Sequence, residues 1–184
     1  METLSLVFIF GLYIGIRLFL GHHKTPAMKD RQKYQEGIAL VYQKKYTEAL
    51  DYFQKVLQKD PKSSIAWAFK SECNLYLDNL YQAIADAEKA LNIDYSLSEC
   101  YFYKGLAFYK LEMIEDALTE FEKAVWHFRE KHPETFRYRG LCHVRLGRNE
   151  QAEKDFRRAI ELGDEEANYI FLQWQQKLNV NKNK

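Results

Sequence analysis

Residues 117–124 read ALTEFEKA, and the same arrangement returns as ALDYFQKV at 49–56, AIADAEKA at 83–90 and AEKDFRRA at 152–159. The opening Ala of each block falls at 49, 83, 117 and 152, so the steps are 34, 34 and 35 residues. Within a block, positions one, five and eight are apolar (Ala117, Phe121 and Ala124, for example) and share one face of a helix. Working outward, each block has an upstream companion with the same spacing: Gly37 in the first copy, Trp67 in the second, Tyr101, Gly105 and Phe108 in the third, Phe136 and Gly140 in the fourth. Each copy therefore predicts two amphipathic helices. Gly37, Gly105 and Gly140 face the four Ala residues where two helix axes must come close, and Tyr, Phe and Trp fill the neighbouring gaps.

One such pair cannot bury its apolar stripe alone, so copies must stack. The pattern places helices near 30–43, 46–59, 64–77, 80–92, 98–111, 114–130, 133–146 and 149–161. The extra residue between the third and fourth copies, with Trp126 and Phe128 beside it, predicts a longer sixth helix. Ala167, Ile170, Phe171, Trp174 and Leu178 form one further stripe. This predicts a terminal helix over 164–178 that caps the array and leaves a polar, flexible tail at 179–184.

A 34-residue period with these small and large positions resembles the tetratricopeptide repeat (TPR) family. The resemblance covers about residues 30–163, with repeats at 30–63, 64–97, 98–131 and 133–163. It implies an all-α, right-handed superhelix of antiparallel helix pairs closed by a capping helix. Two features depart from the family pattern. Lys70-Ser71 stands where an apolar residue and Gly are usual, and only Pro61 survives between repeats.

Ahead of the repeats, Leu4 to Leu20 holds twelve Leu, Ile, Val or Phe residues and a single charge, Arg17. Twelve such side chains favour membrane insertion by about 5 kcal/mol, which exceeds the cost of one Arg near an end. A helix of this length rises about 26 Å, enough for a thin bilayer. A cleaved signal sequence fits less well, because the stretch before it carries Glu2, lacks Lys and Arg, and no small-residue cleavage site follows Leu20. The expectation is one transmembrane helix in an N-terminal anchor at 1–21 and a linker at 22–29. Lys24, Lys29, Arg31 and Lys33 follow it, so the positive-inside rule turns the C-terminal domain to the cytoplasm. Gly11 and Gly15 have the spacing that lets two membrane helices approach, although Gly is also common in such helices for no such reason.

Composition narrows the function. The 184 residues carry 27 Lys and Arg against 26 Asp and Glu, a net charge of +1, which disfavours a nucleic-acid partner. Cys73, Cys100 and Cys142 are odd in number and show no C-x-x-C spacing, so they read as small core residues. No His set at metal-ligand spacing, phosphate-binding Gly loop or nucleophile elbow is present. The expectation is therefore no enzyme, no cofactor, no metal and no small-molecule substrate. Lys and Arg are scattered among acids, the pattern of solvated faces.

The resemblance implies that the first helix of each pair lines a concave groove. The groove positions are Arg31, Tyr34, Ile38, Val41 and Tyr42; Ile65, Ala68, Glu72, Leu75 and Tyr76; Glu99, Phe102, Leu106, Tyr109 and Lys110; and Glu134, Arg137, Leu141, Val144 and Arg145. From these, the candidate partner-binding set is Tyr34, Ile38, Val41, Tyr42, Ala68, Leu75, Tyr76, Phe102, Leu106, Tyr109, Arg137, Leu141 and Arg145. Family members that grip acidic chaperone tails use Lys and Asn, where this chain has Tyr34, Ile38, Phe69, Glu99 and Tyr103. A chaperone-tail adaptor is thus disfavoured. An apolar trough suits a hydrophobic protein segment, with Arg137 and Arg145 offering cations at one end. The opposing expectation is that these aromatics pack on one another and fill the trough. The leading functional expectation is a membrane-anchored scaffold that recruits a protein to a membrane complex. A permanent structural subunit, or a precursor-protein receptor of the organelle-import type, are the alternatives.

Overall fold

The computed structural model describes residues 26–182, together with Leu12. The expected membrane span at 4–20, with Gly11 and Gly15, otherwise lies outside the described residues. Among the described residues no helix is long and apolar enough to cross a membrane.

Among the described residues, ten helices follow one another from Pro26 onward: α1 (Pro26–Lys33), α2 (Gln35–Tyr42), α3 (Tyr46–Lys59), α4 (Ser64–Tyr76), α5 (Leu80–Ile93), α6 (Ser98–Lys110), α7 (Ile114–His127), α8 (Pro133–Arg145), α9 (Asn149–Glu161) and α10 (Glu165–Lys182). Pro26 opens α1 inside the expected linker; Pro is tolerated in the first turn, where no intrahelical N–H is required. The first repeat's opening helix is interrupted at Tyr34 (φ −107°, ψ 27°), which separates α1 from α2. Helix α10 runs through residues 179–182, which the sequence pattern assigned to a tail.

Each second helix packs against the first helix of its own copy and of the next. The first helices also touch one another, α2 on α4, α4 on α6 and α6 on α8, which second helices do not do appreciably. Neighbours that lie closer on one side make the stack curve toward it, so the first helices line the concave face. Ala49, Ala83, Ala117 and Ala152 are fully buried at the helix crossings, as are Phe53, Phe121 and Phe156.

The turn within each copy is built the same way four times. Lys44, Asp78, Glu112 and Gly147 all have left-handed backbone, with φ of 60°, 63°, 60° and 70°. The amide after each one bonds the carbonyl five residues back: Lys45 to Leu40, Asn79 to Asn74, Met113 to Phe108 and Arg148 to His143. This is the Schellman closure of a helix end. Only the fourth copy uses Gly.

The extra residue between copies three and four enters the connection, not the helix. Helix α7 ends at His127 with the same 14-residue length as α3 and α5. Arg129 and Glu130 are both left-handed, which stops the helix, and Phe128 turns back to stack on His132 at 4.2 Å.

The close approach at the Gly positions is graded. A Cβ on Gly105 would lie 2.7 Å from Cε1 and 2.8 Å from Cδ1 of the buried Phe121 ring, whereas on Gly140 the nearest atom is 3.2 Å away. Ala favours a helix over Gly by about 1 kcal/mol, and overpacking a core costs about 1–3 kcal/mol. Gly105→Ala is expected to lose about 1 kcal/mol in urea denaturation, and Gly140→Ala to stay within about 0.5 kcal/mol of the parent. The reverse order would mean that the helix spacing is not set by these contacts.

Candidate functional site

Most of the expected groove residues are part of the packing. Tyr34, Ile38, Val41, Ala68, Leu75 and Phe102 are buried. Leu106, Tyr109 and Leu141 are half-buried. The Tyr34 hydroxyl donates to Asp60 at 3.2 Å. Leu141 packs on the cluster of Phe156 and Phe171 under the capping helix. Tyr138 closes the trough over the third and fourth copies, with its ring 6.1 Å from Phe102, 5.7 Å from Tyr109 and 5.8 Å from Phe121. In that half the aromatics fill the trough themselves.

The two Arg residues already have anionic partners. Arg137 is buried and donates to Asp164 at 2.8 Å, with Glu166 at 2.9 Å, which ties α8 to the turn before α10. Arg145 pairs with Glu112 across the repeat junction, as Lys110 pairs with Asp78 at 2.9 Å one copy earlier. The basic end expected of the groove is therefore an inter-repeat clasp.

An opening remains over the first three copies. It is a pocket of about 140 Å³ lined by Arg31, Tyr42, Ala68, Phe69, Glu72, Leu97, Glu99 and Tyr103. Tyr42 (78% exposed) and Tyr76 (52% exposed) stand on this side of the molecule, and the Tyr76 ring stacks on Tyr46 at 4.7 Å. Arg31 donates to Glu99 at 2.9 Å while its guanidinium lies 5.5 Å from the centroid of Phe69. Burial raises the Glu72 carboxyl to about 6, Glu99 adds to the rise, and a hydrogen bond from Tyr103 and the charge of Arg31 hold it down. The same burial and the neighbouring Glu72 raise Tyr103 well above an ordinary phenol. Phe69, Glu72, Glu99 and Tyr103 were missed as a site. The signal available was that acids and aromatics stand together where the family's anion clamp has donors.

A second feature missing from the sequence reading is a buried ion pair repeated in three copies. Lys70 meets Asp86 at 2.8 Å, Lys104 meets Glu120 at 3.3 Å, and Arg139 Nε meets Asp155 at 2.8 Å. The bases lie at 70, 104 and 139 and the acids at 86, 120 and 155, so both follow the repeat period. These charges are interior links between paired helices, not solvated faces.

Cys73, Cys100 and Cys142 are buried, and burial pushes the Cys73 and Cys142 thiols to about 12, far from a reactive thiolate. His132 and His143 are held below the usual imidazole value by burial. Among the described residues no group of three His, Cys, Asp or Glu is placed to hold a metal ion.

Residues 32–63 and 102–167 match tetratricopeptide repeat family models. The chain is therefore a tetratricopeptide-repeat protein. Among known proteins it is similar to a TPR repeat-containing protein of Methanocaldococcus jannaschii, at 27% identity over 73% of this chain and 24% of that protein. It also resembles the Hsp70-Hsp90 organizing protein of Triticum aestivum, at 23% identity over 53% of this chain and 16% of that protein. The chain thus spans a quarter or less of the length of these relatives. Among solved structures, MamA 41-end from Desulfovibrio magneticus RS-1 superposes with a TM-score of 0.63 at 27% identity, covering 70% of this chain and 72% of that one. The first TPR of Spaghetti (RPAP3) bound to an HSP90 peptide superposes with a TM-score of 0.58 at 21% identity, covering 61% of this chain and 89% of that one. At that identity the likeness is one of fold.

Proposed function

We propose that this protein is an adaptor whose concave face, over the first three repeats, holds a segment of a protein partner at a membrane. The observation that carries the reading is the pocket beside Tyr42, which stays open in a stack whose other half is closed by its own aromatics. Exposed Tyr side chains beside a pocket favour protein contact, because they bring large area at low entropic cost. The tether rests on the sequence of Leu4 to Leu20 and the basic residues after it. Holding an adaptor beside its membrane partner raises the effective concentration without adding a contact.

A second reading, a permanent subunit docked through its outer face, is favoured by one observation. Trp126 and Tyr95, both exposed, border a cleft of about 660 Å³ together with His127.

A photo-crosslinking residue at position 42 is expected to give one discrete protein adduct in cells, and one at position 126 none. Tyr42→Glu, placed at an exposed ring, is expected to keep the fold and weaken the partner about ten-fold. Adducts from position 126 alone would favour the permanent subunit. For the tether, the full chain is expected to resist alkaline extraction from membranes, and to be extracted once residues 1–21 are removed. Complete extraction of the full chain overturns the membrane assignment and leaves the binding face untouched.

A further inference from the structure

We propose that the pocket between α1, α4 and α6 is a cation subsite, which takes one Arg or Lys side chain of an extended partner segment between the carboxylates of Glu72 and Glu99. This deepens the reading above and rests on it, because it names the chemistry of what enters that face.

The first support is the local charge. Two carboxylates and one guanidinium line the pocket, and Arg31 is already paired with Glu99. Among the described residues Glu72 has no ion-pair partner, although its neighbours are drawn from every element around it. They are Arg31 on α1, Tyr46 on α3, Cys73 and Tyr76 on α4, and Glu99, Cys100 and Tyr103 on α6. The tyrosyl hydroxyl of Tyr103 supplies one hydrogen bond. The carboxylates with nearly enclosed side chains each sit against a cation: Asp86 with Lys70, Glu120 with Lys104, Asp155 with Arg139 and Asp164 with Arg137. Glu72 is half-buried, has no such cation against it, and stands at the edge of an open space. A withdrawn carboxylate without a counter-charge carries a desolvation cost that an incoming cation would offset.

The second support is the wall. Phe69, Tyr103 and Tyr42 surround the opening, and the protein itself seats one guanidinium there, over Phe69 and against Glu99. Arg31 thus shows what kind of group the pocket accepts: a planar cation on an aromatic face with a carboxylate at its edge. The third support is size. About 140 Å³ is room for one long side chain and not for a peptide backbone, which would run past the exposed Tyr42 at its edge.

The test uses the full chain in detergent micelles, with glutamate side chains labelled for carbon NMR, and two probes. One is Nα-acetyl-arginine N-methylamide. The other is its citrulline analogue, which has nearly the same shape and no charge. The arginine probe is expected to move the Glu72 carboxyl resonance at millimolar concentration, and citrulline to leave it in place. Binding is expected to weaken as pH falls through about 6, where Glu72 takes up its proton. Glu72→Gln is expected to weaken the arginine probe about ten-fold. Arg31→Ala, which frees Glu99, is expected to tighten it several-fold, and this gain keeps the test informative if the first variant is poorly folded. Equal responses to arginine and citrulline, or no response at Glu72, overturn the subsite. If adducts still form from position 42 in that case, the binding face stands and only its cation preference falls. If arginine binds and no adduct forms, the subsite stands and the partner-holding role falls.

Discussion

Asp86→Ala is expected to lower the unfolding free energy by about 3 kcal/mol, a large loss for a single polar side chain. Asp86 is fully buried and accepts hydrogen bonds from Lys70 Nζ at 2.8 Å, Asn74 Nδ2 at 2.8 Å and Gln82 Nε2 at 3.0 Å. Removing it strands the Lys70 ammonium and the buried Asn74 amide in the crossing between α4 and α5, whereas the exposed Gln82 can turn to water. Lys70 is 11% exposed, so part of its charge can swing toward water, which holds the loss near the lower end of what breaking a buried pair costs. Asp51→Ala is the control. Asp51 meets Lys55 at 2.6 Å on the outside of α3, and an exposed pair four residues apart is worth about 0.5 kcal/mol at most. Urea denaturation of the two variants checks the contrast. A loss below about 1 kcal/mol for Asp86→Ala would mean that the three repeated pairs are passive passengers of the fold.

These pairs also mark where the sequence stopped being readable. The small positions at Ala49, Ala83, Ala117 and Ala152, with the aromatic residue four later in three of the copies, define the helix crossing directly, because only small side chains let two axes approach. The bases at 70, 104 and 139 follow the same period, yet a Lys on an amphipathic helix looks the same in sequence whether it meets water or a buried carboxylate. The discriminating fact, an acid 16 residues later in each of those copies, is a relation between two helices and not a property of one. The left-handed residues show the same gap. Gly147 announces its backbone, whereas Lys44, Asp78 and Glu112 adopt it with no local sign. The concave face was the least legible part. Its positions are fixed by the family pattern, but Tyr138 decides which of them stay open, by reaching across to Phe102, Tyr109 and Phe121. That reach depends on how the fourth copy is set on the third, where the left-handed pair Arg129 and Glu130 adds a residue to the connection.

Glu72→Gln is expected to raise stability, by about 2 kcal/mol near neutral pH, and to do so in a pH-dependent way. Burial lifts the Glu72 carboxyl from its ordinary 4.5 to about 6. Between those two values the folded protein holds a proton that the unfolded chain has released, so the contribution of Glu72 to stability falls as pH rises through this window. Below about 4.5 both states are protonated and Glu72 costs nothing; above about 6 the folded state carries the full desolvation cost of the anion. Glutamine is neutral throughout, so its advantage should be absent at about pH 4 and reach its plateau by about pH 7. Urea denaturation of parent and variant across that range measures the difference directly, and a constant difference would show that packing, not charge, separates them. The direction of the effect bears on function. A residue that weakens the free fold at neutral pH contributes nothing to holding the repeats together, unlike the fully buried Asp86 with three donors around it. Its cost in the free state is the gain available to a cationic side chain in the bound state, so the variant that makes the solenoid more stable is also the one that should grip such a partner least.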